Sequence, residues 1–213
     1  MTTILLIRHG VNDAVGKHLA GRTPGVHLNE EGKKQALELA KLLKDFPVKA
    51  IYSSPLERTL ETAEPVSEAV GVPVQVHNGL IEADYGDWHG KSFEELHKLD
   101  LWRELLREPA AVRFPNGESL QEIQARAAGA VEQIAARFEK DDLVLCFTHG
   151  DIIRLATAYF ICLPLNEYQH LVTNPAAITE LRFYEDRAFL VRYNQCLALN
   201  ASQYCNAEAV KAG

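Results

Sequence analysis

Apolar residues run from Thr3 to Ile7 with little interruption before the chain turns polar at Arg8-His9-Gly10. A run this short predicts a strand buried on both faces that opens into a loop at its C-terminal end. Leu143 to Phe147 repeats the pattern and ends in Thr-His-Gly-Asp. Behind Asn29, residues Ala36, Leu39, Ala40 and Leu43 recur at helical spacing, which predicts an amphipathic helix over 30–45. Ala50 to Tyr52 reads as a strand. Ser54-Pro55-Leu56-Glu57 combines an N-cap serine, a proline at the first helical position and a capping-box glutamate, so a helix is predicted from here with Arg58 in its first turn.

Val72 to Val76 reads as a further strand, and Gly79 to Gly90 as a loop holding Glu82, Asp84, Asp87 and Trp88. Ser92-x-x-Glu95 caps a short helix. Ser119-x-x-Glu122 caps a longer one whose apolar stripe is Leu120, Ile123, Ala127, Val131, Ile134 and Phe138. Another helix spans about Asp151 to Ile161, and 178–183 with 188–193 form a terminal pair of strands around Glu185-Asp186. This alternation of strand and helix predicts an α/β fold, a three-layer αβα sandwich with a mostly parallel central sheet. One domain over 1–198 accounts for the length, with 199–213, rich in Ala, Asn and Gln, set apart as a C-terminal tail expected to be disordered or loosely docked.

Composition narrows the class. A formal net charge of −7 over 213 residues argues against a nucleic-acid or anionic-membrane surface, so any anion site must be local. Cysteines 146, 162, 196 and 205 show no metal-binding or redox spacing and read as reduced, mostly buried thiols, which with the lack of a signal-peptide pattern predicts a cytoplasmic protein. No segment is long enough to span a bilayer. Monomer and homodimer both remain open.

In open parallel sheets ligands bind beyond the carboxyl ends of the strands. Arg8-His9-Gly10 ends the first strand, Arg58 opens the helix after the second, and Thr148-His149-Gly150 ends the strand from Leu143, so three segments bring cations to one region. Guanidinium forks bind phosphate oxygens bidentately, and helix N-termini after Ser54 and Thr148 would add backbone donors. A neutral imidazole is a competent nucleophile when its other ring nitrogen is held by an acceptor, which makes His9 the candidate. Gly10, lacking a Cβ, would let backbone and phosphate approach closely. Glu82, with its pKa raised by a pocket, is the candidate proton donor.

Each of these residues alone has a plainer reading. His9 or His149 could be structural, Arg58 could pair with Glu57 or Glu61 on its own helix face, and Glu82 could belong to a solvated acidic loop. Their convergence on strand ends favours the site. The eight histidines contain no H-x-x-x-H or H-E-x-x-H pair, and arginine beside His9 would repel a cation, so neither a metal nor another cofactor is expected. Tyr85, Trp88 and Phe114 read first as apolar packing under the loop, and second as pocket lining.

Six stretches together resemble the histidine phosphatase superfamily, the phosphoglycerate mutase-like proteins, over most of residues 3–184. These are Leu6-Ile7-Arg8-His9-Gly10; Gly21-Arg22 followed by Leu28-Asn29-Glu30-Glu31-Gly32 and Gln35-Ala36; Tyr52-Ser53-Ser54-Pro55-Leu56 with Arg58-Thr59 and Thr62-Ala63; Leu80-x-Glu82 with Gly86-x-Trp88-x-Gly90; Pro115-Asn116-Gly117-Glu118-Ser119; and Thr148-His149-Gly150 with Ile153-Arg154. The resemblance implies a phosphohistidine on His9, a phosphate pocket of Arg8, Arg58 and His149, Glu82 as proton donor, and substrate contacts at Gly21, Arg22 and Gly150. The chain departs from the family where Val11-Asn12 replaces the usual E-T and Val15 stands near the expected asparagine, which leaves Asn12 as the candidate for that contact.

Mutases of this family carry a long insertion after the acid loop, whereas Gly117 follows Glu82 here by only 35 positions. The resemblance therefore implies a metal-independent phosphomonoesterase acting on a small phosphorylated metabolite. A cofactor-dependent phosphoglycerate mutase is the alternative, followed by a non-catalytic protein that binds phosphorylated ligands.

Overall fold

The computed structural model describes residues 1–185 and 187–196. Its strands are β1 (Thr2–Arg8), β2 (Val48–Ser53), β3 (Val74–Val76), β4 (Leu143–Thr148), β5 (Ile178–Tyr184) and β6 (Arg187–Gln195), and its α-helices are α1 (Glu30–Leu43), α2 (Glu57–Val70), α3 (Phe93–Leu96), α4 (Asp100–Arg107), α5 (Leu120–Ala135) and α6 (Gly150–Phe160). The sheet order is β3-β2-β4-β1-β5-β6. The first four strands in that order pair in parallel, while β5 and β6 form an antiparallel hairpin on one edge. Among the described residues, α4 and the 3₁₀ segments Asn78–Leu80, Gly86–Trp88, Pro109–Ala111 and Leu165–His170 went unread in the sequence.

The period of two along β1 builds both halves of the core. Ile4 and Leu6 pack with Val144, Cys146, Ile123, Val131, Ile153 and Leu155, placing α5 and α6 on one face. Leu5 and Ile7 pack with Leu145, Phe147, Leu39, Leu43, Ala63 and Val66, placing α1 and α2 on the other. β4, at the centre, is buried at all its positions, which is why it reads as an unbroken apolar run.

Both capping boxes predicted at Ser92/Glu95 and Ser119/Glu122 form. The one predicted at Ser54/Glu57 does not: α2 begins at Glu57, its N-cap is Leu56, and no side chain caps it. The Ser54 hydroxyl lies instead 2.7 Å from His149 Nε2, and the Glu57 carboxylate accepts from the Gly25 amide at 3.0 Å. Phe138 falls beyond the end of α5, half-buried against the same core. Of the cysteines expected to be mostly buried, Cys146 is, Cys162 is exposed and Cys196 lies between; Cys205, Asp186 and the tail 199–213 lie outside the described residues. No helix among the described residues is long and apolar enough to cross a membrane.

Candidate active site

The parallel register of β1 and β4 sets Arg8 beside Thr148, and the His9 amide donates to the Thr148 carbonyl at 3.0 Å. One residue further along each strand, the rings of His9 and His149 therefore face each other with centroids 5.4 Å apart. β2 ends alongside β4, with Ser53 opposite Phe147, and α2 then carries Arg58 into the same space. Arg58 is 1% exposed, an extreme burial for a guanidinium, which demands partners. Its Nη2 donates to the Gly21 carbonyl at 2.6 Å and lies 3.2 Å from His149 Nδ1, yet its Nε and Nη1 have no partner among the described residues. Arg8 donates through Nη1 to the Thr173 carbonyl at 2.5 Å, and its Nε is likewise buried and unpartnered. Three charged donors are thus held beside His9 with their hydrogen-bonding capacity open, an arrangement suited to a tetrahedral oxyanion.

His9 Nδ1 lies 2.7 Å from the Gly10 carbonyl, which places the ring proton on Nδ1 and leaves a lone pair on Nε2. Burial first, then Arg8 and Arg58, hold His9 well below the ordinary imidazole range, so the ring is neutral. The same causes, burial foremost, keep His149 neutral. With Arg58 donating toward Nδ1, the His149 proton belongs on Nε2, facing Ser54.

Glu82 is 8% exposed, with Oε1 accepting from the Ala83 amide at 2.9 Å and Oε2 3.9 Å from His149 Nδ1. Burial, followed by the charge of Asp151, pushes its carboxyl up to about 7. Burial works against the Asp151 carboxylate too, but Arg154 and the Tyr85 hydroxyl, both bonded to it, outweigh that and keep it below the usual range. A carboxyl that keeps its proton up to about pH 7, a neutral imidazole with a free nitrogen and open guanidinium donors therefore share one cleft.

The chain matches the family described as the histidine phosphatase superfamily, branch 1, over residues 4–196. The chain belongs to that superfamily. Phosphoserine phosphatase 1 of Hydrogenobacter thermophilus is 30% identical over 198 residues, covering 91% of this chain and 92% of that one. An uncharacterized phosphatase PhoE of Bacillus subtilis is 31% identical, covering 91% and 95% respectively. Among solved structures, a mycobacterial glucosyl-3-phosphoglycerate phosphatase complexed with VO3 superposes with a TM-score of 0.82 at 29% identity, covering 91% of this chain and 98% of that one.

All five residues proposed for the chemistry, Arg8, His9, Arg58, Glu82 and His149, meet in this cleft of the histidine phosphatase fold. Arg58 does not pair with Glu57 or Glu61: Glu61 holds His27 and the Leu28 amide instead. Gly21, at φ +52°, gives its carbonyl to Arg58, and a Cβ there would meet His89 Nδ1 at 2.0 Å. Gly150 opens α6, where a Cβ would meet Arg8 Nε at 3.3 Å. Asn12 is buried nearby, but its Oδ1 already accepts from the Ala14 and Val15 amides, leaving only its NH₂ to offer a ligand.

One expectation changes. Arg22, expected at the substrate, turns each guanidinium nitrogen to a protein acceptor: Nε to the Glu82 carbonyl at 2.8 Å, Nη1 to Asp84 at 3.3 Å and Nη2 to Glu118 at 2.9 Å. Gly10 lets backbone approach closely as expected, since a Cβ there would meet the Gly32 carbonyl at 2.8 Å. Tyr85, Trp88 and Phe114 are buried core residues, with Phe114 stacked edge-on against both others. Sequence reasoning missed Asp151 as a neighbour of Glu82, and missed Arg154, which stood within a recognised motif, as the ion-pair partner of Asp151. No group of three or more His, Cys, Asp or Glu among the described residues could hold a metal ion.

Proposed function

We propose that this histidine phosphatase hydrolyses phosphomonoesters through a phosphohistidine on His9. The observation that carries the reading is the His9 ring: Nδ1 held by the Gly10 carbonyl at 2.7 Å, Nε2 free, and the open nitrogens of Arg8 and Arg58 beside it. In the first step Nε2 attacks phosphorus, the P–O ester bond breaks, and the leaving alkoxide takes the proton of Glu82. Arg8 and Arg58 hold the non-bridging oxygens while charge redistributes among them, and His149, whose Nδ1 accepts from Arg58, orients that guanidinium within the phosphate pocket. In the second step the ionised Glu82 takes a proton from water, the oxygen attacks phosphorus, and the P–N bond breaks to release inorganic phosphate and free His9.

The substrate class is a small phosphorylated metabolite, supported by relatives named for phosphoserine and glucosyl-3-phosphoglycerate. A cytoplasmic setting fits such substrates and the cysteine spacing.

Rapid quench with a ³²P-labelled monoester tests the reading. Expected are acid-labile, base-stable protein phosphate that disappears in His9→Ala, and turnover unchanged by EDTA. Absence of labelled protein would remove the covalent step. Isomerisation of 3-phosphoglycerate, primed with a bisphosphoglycerate, that outran phosphate release would replace hydrolysis by mutase chemistry.

A further inference from the structure

The motif Pro115-Asn116-Gly117-Glu118-Ser119 holds none of the five residues given a part in the chemistry, yet its glutamate is the hub of the largest ion network near the cleft. Glu118 Oε1 accepts from Arg126 Nε at 2.8 Å, while Oε2 accepts from Arg126 Nη2 at 2.8 Å, Arg22 Nη2 at 2.9 Å and the Asp84 amide at 2.9 Å. Both arginines then reach past it to the loop that carries Glu82. Arg22 Nε donates to the Glu82 carbonyl at 2.8 Å, and Arg126 Nη1 donates to the carbonyls of Ile81 at 2.8 Å and Gly79 at 3.0 Å. The Glu118 amide donates to the Asp84 carbonyl at 2.9 Å, closing a ring of contacts on either side of Glu82.

The two backbones are in direct contact, which is why glycine is needed in both. A Cβ on Gly117 would meet the Asp84 carbonyl at 2.3 Å, and one on Gly86, at φ +52°, would meet the Pro115 carbonyl at 2.0 Å. Glu118 is only partly exposed, at 21% of its side chain. Burial works against its carboxylate, but Arg126, the Asp84 amide and Arg22 outweigh it and keep it ionised.

We infer that Glu118 is a positioning residue for the proton donor: by clamping Arg22 and Arg126 it holds the peptides around Glu82, so that the Glu82 carboxyl stands against the leaving-group side of the cleft. The inference rests on the reading of Glu82 as general acid. It also reassigns Arg22, whose guanidinium serves this clamp and leaves the substrate to Arg8 and Arg58. A positioned acid matters in proportion to how poor the leaving group is. Loss of the clamp therefore has a chemical signature that general destabilisation lacks.

The test compares kcat/KM for p-nitrophenyl phosphate, whose leaving group needs no proton, with that for β-glycerol phosphate, whose alkoxide does. Glu82→Gln calibrates the pattern, and vanadate inhibition monitors the phosphate cradle in every variant. For Glu118→Gln the expected result is a loss of about a hundredfold on the alkyl ester, within the range for general acid catalysis, and of less than about fivefold on the aryl ester. Vanadate affinity should stay within about twofold of wild type. Arg126→Lys, which keeps the charge but not the fork, should show the same selectivity and carries the test should Glu118→Gln fail to fold.

Equal losses on both esters, or no loss on either, overturn the assignment of Glu118. A wild-type enzyme whose Glu82→Gln variant shows no preference between the esters overturns the general-acid reading instead, so the two failures are distinguishable.

Discussion

Replacing Glu82 with glutamine should raise stability and remove activity at the same pH. In the folded protein this carboxyl titrates at about 7, against 4.5 for an unburied glutamate. The folded state thus binds the proton more tightly than the unfolded chain does. That contribution is fully present below pH 4.5 and is lost as pH rises through 7. Above that point the native state carries an ionised carboxylate in a buried site beside Asp151. The interval from 4.5 to 7, at about 1.4 kcal/mol per pH unit, amounts to about 3 kcal/mol. Glutamine stays neutral at every pH, and its carbonyl oxygen can still accept from the Ala83 amide that Glu82 now binds. Glu82→Gln and wild type should therefore have similar stability near pH 5, and the variant should gain as pH rises. By pH 8.5 the gap should be about 3 kcal/mol, or roughly 6–12 °C in Tm for a chain of this size. Over the same range kcat/KM on alkyl phosphates should fall by about 10²- to 10⁴-fold, and the alkaline limb of the wild-type profile, centred near pH 7, should vanish with the proton that produces it. Urea melts from pH 5 to 9 alongside steady-state assays check both arms. A stability gap that does not change with pH, or a variant less stable than wild type at pH 8.5, refutes the claim that Glu82 is held protonated.

Arg58→Lys keeps the charge but loses the planar fork whose Nε and Nη1 are open, so kcat should fall by about 10²- to 10³-fold and vanadate should inhibit more weakly; an enzyme within threefold of wild type would show that charge alone suffices. Ser54→Ala removes the partner of His149 Nε2, and one hydrogen bond of about 1 kcal/mol predicts a kcat about fivefold lower together with a Tm lower by about 2–4 °C. The same loss of Tm with kcat intact would return Ser54 to its role as a helix cap.

Much of this was legible in the sequence because β1 and β4 are short apolar runs that end abruptly in Arg-His-Gly and Thr-His-Gly, and a parallel pair of such strands has to bring its two histidines together. Capping boxes at Ser92 and Ser119 were legible because nothing distant competes for those hydroxyls. Ser54 failed the same rule since a buried imidazole from a residue 95 positions away lies within hydrogen-bonding distance of its oxygen. Arg22 looked like an anion donor because its carboxylate partners, Asp84 and Glu118, lie 62 and 96 positions along the chain. Asp151 and Arg154 form an (i, i+3) pair of the kind found on any solvated helix face, and only the hydrogen bond of the Tyr85 hydroxyl to Asp151 and the action of the Asp151 charge on Glu82 reveal that this half-buried pair belongs to the site.

The placement of carboxylates explains how an acid and an anion cradle can share this cleft. Arg22 and Arg126 are neutralised by Glu118, with Asp84 also on Arg22, and Arg154 is neutralised by Asp151. Among the described residues Arg8 and Arg58 have no ion pair with a carboxylate of this kind, and they hold the buried side-chain nitrogens left without partners there. Their two positive charges match one phosphoryl dianion. Glu82 is near enough to lower that match, since its charge would act on both guanidiniums were it ionised. Burial and the neighbouring Asp151 charge keep the proton on Glu82 instead, so the same desolvation that makes it a donor near neutral pH also leaves Arg8 and Arg58 open to the phosphate. An exposed glutamate at position 82 would fail twice, having no proton to give and drawing the cradle's charge toward itself.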